Sequence, residues 1–513
     1  MTLSRRLFLG ALGTLPLTRL AHGQAAHRIT ILHMNDFHGQ VLARRFDDDP
    51  TRPPKTLGGY PTLVRYVGQQ RERYGKDNVW VTDAGDWYQG TPEGNEDKGA
   101  SIIECLNRLD LVASQIGNHE FDFGEDNVAA LVKLAKHPIL GANILDKSKS
   151  EPTPRPYAKP WIVLTKNGVK IAIVGLVTKD TKSVATGPFG DAEFADEDST
   201  LQRVLPQLRS EQKPDAVVLL THCGLETDRK LAQRFPEIVL VLGGHSHTAI
   251  RRPVRDGSAW IVQSGSKGGA MTRVHLATKS ESPRLEVLGS WYDELDTDKV
   301  GVDSTAAEFV KERFGKISAP WDEVIGNLDG DLGKSRGRTP NSTAAGNLIA
   351  ALIRTTAEAD IGLTNKGGVR TGIQLGPITR RQVYELVPFE NSIAAFALTG
   401  TQVFDLLQQA LEGGRQPLEI DGAIYRYEIV DGARKLVEVE VGGKPIDRAK
   451  KYRVATNSFL AGGGEGLTIF AKAERLPTTV AMQRFLRDLL IDELVAKKTL
   501  QVTGEPRIQV FRR

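Results

Sequence analysis

The first half of the chain repeats one arrangement: a short apolar run, long enough for a single strand, ends abruptly in polar residues of ligand type. RITILHMNDFHG (28–39) is the first case, with Asp36 and His38 directly after the run. DNVWVTDAGDWYQG (77–90) follows the same plan with Asp83 and Asp86, and LDLVASQIGNHEFDFG (109–124) with Asn118, His119, Glu120 and Asp122. PDAVVLLTHCG ends in His222, and EIVLVLGGHSHT ends in His245 and His247. Between these runs the periodicity predicts helices over Tyr60–Tyr74, Ala100–Arg108, Val128–Lys136 and Ser199–Glu211. WIVLTKNGVKIAIVGLVT reads as a hairpin turning on Asn167-Gly168. Strands alternating with helices, with polar residues at strand C-termini, predict an α/β layered sheet with its site at the carboxyl edge. The hairpin makes that sheet mixed rather than purely parallel.

The pattern changes from about Asp296. DSTAAEFVKERFGKI predicts a helix starting at a capping Ser304, and SAPWDEV interrupts it. A second block follows, with helices in NSTAAGNLIAALIRTTAEA and TGTQVFDLLQQALEGG and a strand in DIGLTNKGGVR. Hairpin-like AIYRYEIVDGARKLVEVEVGG and then YRVATNSFLAGGGEG complete it. The expected divisions are a first domain over 26–300, a linker or hinge over 301–328, and a second, α+β domain over 329–513. A length of 513 residues is too great for one core and agrees with such a division.

Residues 1–25 stand apart. SRRLFLGALGTLPLTRLAHGQAA carries a twin arginine, an apolar stretch from Leu7 to Leu17 and small residues near Ala25. That stretch is shorter than the roughly 20 residues needed to span a bilayer. It reads as a cleaved export signal of the twin-arginine type and predicts a bacterial periplasmic protein without a membrane anchor. Charge is nearly balanced, with 67 basic and 63 acidic residues, which excludes a grip on a nucleic-acid polymer. Cys105 and Cys223 are the only cysteines, so neither a disulfide framework nor a cysteine zinc knuckle can form. Cys223 beside His222 is expected as a buried small side chain, and Asp83 as structural.

Carboxylate oxygen and imidazole nitrogen at strand ends suit hard or borderline divalent cations. Asp36, His38, Asp86, Asn118, His222, His245 and His247 are enough for two such ions if one aspartate bridges them. Two ions about 4 Å apart clamp a phosphate and activate a bound water. Each fragment alone is weak evidence, but five in the same setting argue against coincidence. Asp122 could instead cap the helix after it.

In order, D-x-H, GDW, GNHEFD, a histidine after a strand, and GHSH resemble the signature of calcineurin-like metallophosphoesterases. The resemblance implies Asp36, His38 and His247 on one ion, Asn118, His222 and His245 on the other, and Asp86 between them. It also implies a dyad in which His119 contacts the reacting phosphoryl or leaving oxygen and Asp122 orients it. The partner fixes the tautomer of the imidazole and stabilises its charged form. Zinc, manganese, cobalt and magnesium all suit such mixed nitrogen and oxygen sites.

NKGGVR, LVPFENSI, ALTG and ATNSFLAGGGEG resemble the substrate domain of the 5′-nucleotidase family, and the combined resemblance covers nearly the whole chain after the signal. It implies a nucleotide substrate: Phe389 and Phe459 stack on the base and Asn391 contacts its edge. Asn365 reaches the sugar or phosphate region, and Arg370, with Arg336 or Arg338 from GKSRGR, forks onto phosphate. The family's usual aspartate in GGDG is replaced here by Glu465, and the glycine run is one residue longer. The replacement by Glu465 bears on the ribose contact. The expected reaction is release of phosphate from nucleoside 5′-monophosphates. On the same fold, the alternatives are a UDP-sugar or other diphosphate hydrolase and a 2′,3′-cyclic phosphodiesterase with 3′-nucleotidase activity. More distant ones are a thiosulfohydrolase and a nucleotide-binding protein without catalysis. Oligomeric state is not legible.

Overall fold

The computed structural model describes residues 28–46, 54–279, 284–333, 341–413, 415–502 and 504–512. The segment expected to be an export signal and the two arginines Arg336 and Arg338 lie outside the described residues.

Twelve strands build the first domain's two large sheets. They are β1 (Arg28–Met34), β2 (Val79–Asp83), β3 (Ala113–Gln115), β4 (Ile139–Leu140), β5 (Trp161–Lys166) and β6 (Val169–Val177). The rest are β7 (Ala216–His222), β8 (Ile238–Leu242), β9 (Val254–Asp256), β10 (Ala259–Val262), β11 (Ala270–Thr278) and β12 (Leu285–Glu294). The layered, mixed arrangement expected takes the form of two stacked sheets. One sheet runs β12-β11-β1-β2-β3-β4 and the other β9-β10-β8-β7-β6-β5, and both combine parallel central pairs with antiparallel strands toward an edge.

Alternation along the strands explains the double layer. In β1, Ile29 and Ile31 join a core between the sheets, while Leu32 and Met34 face the other way. In β6, Ile171 and Ile173 join that inner core, while Val174 and Leu176 meet an outer helical layer. A strand buried on both faces reads as a continuous apolar run, as these do. Helices cover the outer faces: α1 (Tyr60–Tyr74), α2 (Ala100–Arg108) and α3 (Glu125–Leu134) on one side, α4 (Glu197–Gln212) and α5 (Leu225–Arg234) on the other.

The helix starts differ from the sequence expectation where caps decide them. Helix α3 begins after Gly124 with Glu125 and Asp126 in its first turn, where acidic groups favour the helix dipole. Asp196 caps α4 by accepting from Ser199 N, so that helix starts two residues earlier than expected. Helix α6 (Ser304–Ser318) is capped by Asp303, which accepts from Ala306 N, and not by Ser304. Its Ala306, Val310 and Phe314 pack into the first domain's core.

A separate core begins at Ile325. It gathers strand Val324–Leu328 with α7 (Ala344–Thr356), α8 (Arg380–Leu386) and, later in the chain, helix Leu486–Lys497. A five-stranded sheet, with Ile361–Thr364, Lys451–Asn457 and Ile393–Thr399 at its centre, carries the loops that face the first domain.

Candidate active site

All the candidate metal ligands lie at the carboxyl ends of parallel strands. Asp36 and His38 follow β1, Asp86 follows β2, Asn118 follows β3, His222 closes β7, and His245 and His247 follow β8. Asp36, His38, Asp86, His245 and His247 hold positive φ, between 51° and 75°. A residue with a Cβ adopts this left-handed region at a cost of about 1–2 kcal/mol, and such strain gathers at functional sites. The turns aim successive side chains inward within very few residues.

The side chains converge. Asp36, His38, Asp86 and His247 offer ligand atoms within 4.8 Å of one another. His247 Nε2 lies 3.2 Å from Asp36 Oδ1 and 3.0 Å from His38 Nε2. Beside this group, Asn118 Oδ1 lies 3.1 Å from His222 Nε2 and 2.9 Å from His245 Nδ1. Asp86 Oδ2 reaches toward both groups, 3.8 Å from His38 Nε2 and 3.2 Å from His222 Nε2.

This donor set fits two divalent cations. His38 Nδ1 donates to Gln89 O at 2.7 Å and His222 Nδ1 to Ala84 O at 2.6 Å, leaving each Nε2 with its lone pair facing the cluster. Asn35 Nδ2 donates to Asp36 Oδ2 at 2.6 Å and to Gly265 O at 2.7 Å, which fixes the carboxylate plane.

His119 Nδ1 is 2.8 Å from Asp122 Oδ2, while Thr186 N donates to Asp122 Oδ1 at 3.0 Å. Asp122 therefore serves the imidazole and does not cap α3. Burial opposes charge on His119, but the Asp122 and Asp86 carboxylates hold its pKa above the ordinary value.

Two residues that sequence reasoning gave no role support the ligands, Asn35 and Glu120. The buried Glu120 carboxylate accepts from Asp86 N at 2.9 Å, Trp87 N at 2.7 Å and Gly117 N at 2.6 Å, tying two ligand loops together. Burial pushes its pKa up to about 7. The signals that could have found them are positional: Glu120 stands inside GNHEFD, and Asn35 directly precedes Asp36. Asp83 keeps to structure: its Oδ2 accepts from Gly85 N at 3.1 Å, and burial holds its pKa well above the ordinary range. Cys223 is buried, with its thiol toward Leu176 O.

The second domain closes the site from above. A cavity of about 150 Å³ is lined on one side by Asp86, Asn118, His119, His245 and His247. Asn365, Arg370, Phe389, Asn391, Phe459 and Glu465 line the other side. Arg370 Nη2 lies 3.3 Å from His38 Nε2, and the Phe389 ring stacks on His119 at 5.4 Å with planes 29° apart. Side-chain amides knit this wall together. Asn457 Nδ2 donates to Asn365 Oδ1 at 3.1 Å, Asn365 Nδ2 to Glu465 Oε1 at 3.2 Å, and Ser458 Oγ to Asn391 Oδ1 at 3.2 Å. A Cβ on Gly464 would lie 2.6 Å from the Phe459 ring, so that ring's position requires glycine there.

Residues 29–249 match the calcineurin-like phosphoesterase family, and residues 324–472 match the 5′-nucleotidase C-terminal domain. The chain thus carries a calcineurin-like phosphoesterase domain followed by a 5′-nucleotidase C-terminal domain. Among its relatives, protein UshA of Escherichia coli strain K12 is 28% identical over 503 residues, with 88% of each chain covered. A 5′-nucleotidase of Vibrio cholerae serotype O1 is 27% identical over 493 residues, with 86% of each covered. The solved 5′-nucleotidase precursor of Thermus thermophilus superposes with a TM-score of 0.85 at 26% identity, covering 94% of this chain and 99% of that one. A sulfate thiohydrolase of the same species, SoxB, reaches a TM-score of 0.82 at 21% identity over 94% of this chain and 97% of its own, which shows a common fold.

Proposed function

We propose that this protein is an exported phosphohydrolase that releases phosphate from nucleoside 5′-monophosphates. One observation carries the reading: a single cavity joins the Asp/His/Asn cluster to a wall bearing two phenylalanines, with Arg370 between them. Metal chemistry suits one end, a flat base suits the other, and the guanidinium suits the phosphate that connects them.

Asp36, His38 and His247 would hold one divalent ion and Asn118, His222 and His245 the other, with Asp86 shared. When bound, the ions supply Lewis-acid charge to the phosphate and lower the pKa of water. The rest falls to the protein. Arg370 orients phosphoryl oxygens through its planar fork. His119, its Nδ1 held by Asp122, presents Nε2 to the cavity and stabilises charge on the leaving oxygen. Phe389 and Phe459 receive the base, Asn391 its edge, and Asn365 with Glu465 the sugar. Stacking of this kind contributes about 1–3 kcal/mol per base and tolerates different bases.

A periplasmic address follows from the segment at 4–26, and no described helix is long and apolar enough to cross a membrane. The test is to incubate the purified protein, loaded in turn with zinc, manganese, cobalt or magnesium, with AMP, ADP, UDP-glucose and 2′,3′-cyclic AMP. Phosphate and nucleoside from AMP are the expected products. Turnover of the diphosphates or the cyclic ester with AMP left intact would overturn the assignment.

A further inference from the structure

Away from the cavity, one short helix of the second domain touches the first domain through two opposite charges. Helix α8 carries Arg381 and Glu385 four residues apart, and hence on one face. Arg381 Nη1 donates to both oxygens of Glu93, at 2.7 and 2.8 Å. Its Nε donates to Asp322 Oδ1 at 2.7 Å and its Nη2 to Ser318 O at 3.2 Å. Ser318 Oγ donates to the same Glu93 at 2.6 Å. First domain, connecting segment and second domain thus meet on one buried carboxylate. One turn along, Glu385 pairs with Arg44 of the first domain at 3.4 Å, and Arg44 Nη2 also donates to Thr371 Oγ1 at 3.1 Å.

Both contacts are tied to the site. Glu93 lies in the short helix Pro92–Asn95, capped by Thr91, whose hydroxyl donates to Gly39 O at 2.8 Å. Gly39 follows His38, and the loop leading into that helix carries Asp86. On the other side, α8 ends at Leu386, three residues before Phe389, and Thr371 follows Arg370.

We propose that Arg381 and Glu385 are positioning residues: through Glu93 and Arg44 they set the register of the base and phosphate residues over the metal ligands. Two contacts of opposite polarity, a helical turn apart, fix both placement and orientation, because shifting α8 or reversing it brings like charges together. A buried ion pair is a poor source of net stability, since desolvation offsets attraction, and its best-attested use is to select one arrangement. The proposal rests on the functional reading above only for its substrate, and not for the clamp itself.

The test compares wild type with Arg381→Gln and Glu385→Gln, using two readouts. The first needs no substrate: nitroxide labels at the exposed positions Leu134 and Val437, one per domain, report the interdomain distance. Cys105 and Cys223 are buried. Wild type should populate the interdomain distance of this structure, and the variants should lose that population to shifted or broader distances. The second is kcat/KM on AMP against 4-nitrophenyl phosphate. A misplacement near 1 Å should cut AMP turnover by about 10–100-fold and the small ester, which meets only Arg370 of that wall, by less. A purely stabilising role would lower Tm and leave the distances and the ratio of the two rates unchanged, and that result overturns the proposal. Should Arg381→Gln fail to fold, Glu385→Gln decides by the same criteria. Broadened distances in variants of a wild type inactive on AMP would uphold the clamp and refute the nucleotide reading.

Discussion

In the first domain the candidate ligands sit in turns immediately after strands, five of them with left-handed backbones, and are locked by buried groups such as Asn35 and Glu120. The second domain presents its wall differently: among its described candidate contacts only Glu465 has positive φ, and the hold comes from a chain of side-chain amides. The first region stores strain to fix atoms on a length scale of tenths of an ångström, as metal coordination demands. The second offers ring faces and amide edges, whose attraction falls off gently with displacement. Chemistry and recognition are therefore separable by mutation.

The largest effect should come from the shared ligand. Asp86→Asn is expected to lower metal content and to cut turnover on the order of 1,000-fold or more, with every substrate alike, because the charge stabilisation at stake is worth several kcal/mol. Asp83→Asn, which alters only a turn, should leave metal content intact by elemental analysis. Equal losses in the two variants would show that the cluster does not depend on Asp86 as a ligand.

Next in size is His119→Ala. It should lower kcat by about 10²–10⁴-fold, the usual contribution of a positioned acid or base, with both ions retained. Loss of an ion would instead assign His119 to coordination.

The two phenylalanines sharpen the contrast. Phe459→Ala should reduce kcat/KM on AMP by roughly ten- to a hundredfold and spare 4-nitrophenyl phosphate, as loss of one stacking face requires. Phe389 also lies against His119. Phe389→Ala should therefore lower the base-free ester as well, though less than AMP. Identical behaviour of the two variants on both substrates would mean that the His119 contact has no kinetic consequence.

The smallest effect lies outside both regions. His137 is buried with Nε2 2.9 Å from Ser114 Oγ, and burial lowers its pKa from 6.5 to about 4. Between those values the unfolded chain binds a proton that the folded one does not. Its contribution to stability is complete above 6.5 and is lost as pH falls toward 4. Urea titrations at pH 7.5 and 5 should show a smaller loss for His137→Asn than for wild type.

Much of the first region was legible because its signal is local: a strand, then a ligand, within a few residues. Helices Tyr60–Tyr74 and Ala100–Arg108 and the turn at Asn167-Gly168 follow from periodicity and turn chemistry alone. The layered mixed architecture was legible too, but the strand order within its two sheets was not, because that order depends on which strands pair across long separations. The caps Asp303 and Asp196 lie one or more residues from the expected helix starts because Ser, Asp and Thr compete for that role in adjacent positions. The contacts of α8 were invisible for another reason. Glu93, Arg44, Arg381 and Glu385 are ordinary charges in sequence, and only the meeting of two domains makes them partners.

The left-handed backbones at Asp36, His38, Asp86, His245 and His247 also indicate how this lineage would decay once its activity was no longer needed. Glycine at any of them relieves about 1 kcal/mol of strain and removes a ligand. Under selection for turnover such a change is lethal to function, whereas under selection for abundance or heat tolerance alone it is a gain. A population relieved of the need for the enzyme should therefore accumulate glycine at these five positions before its cores erode. Descendants of that kind would be sturdier, well folded and silent.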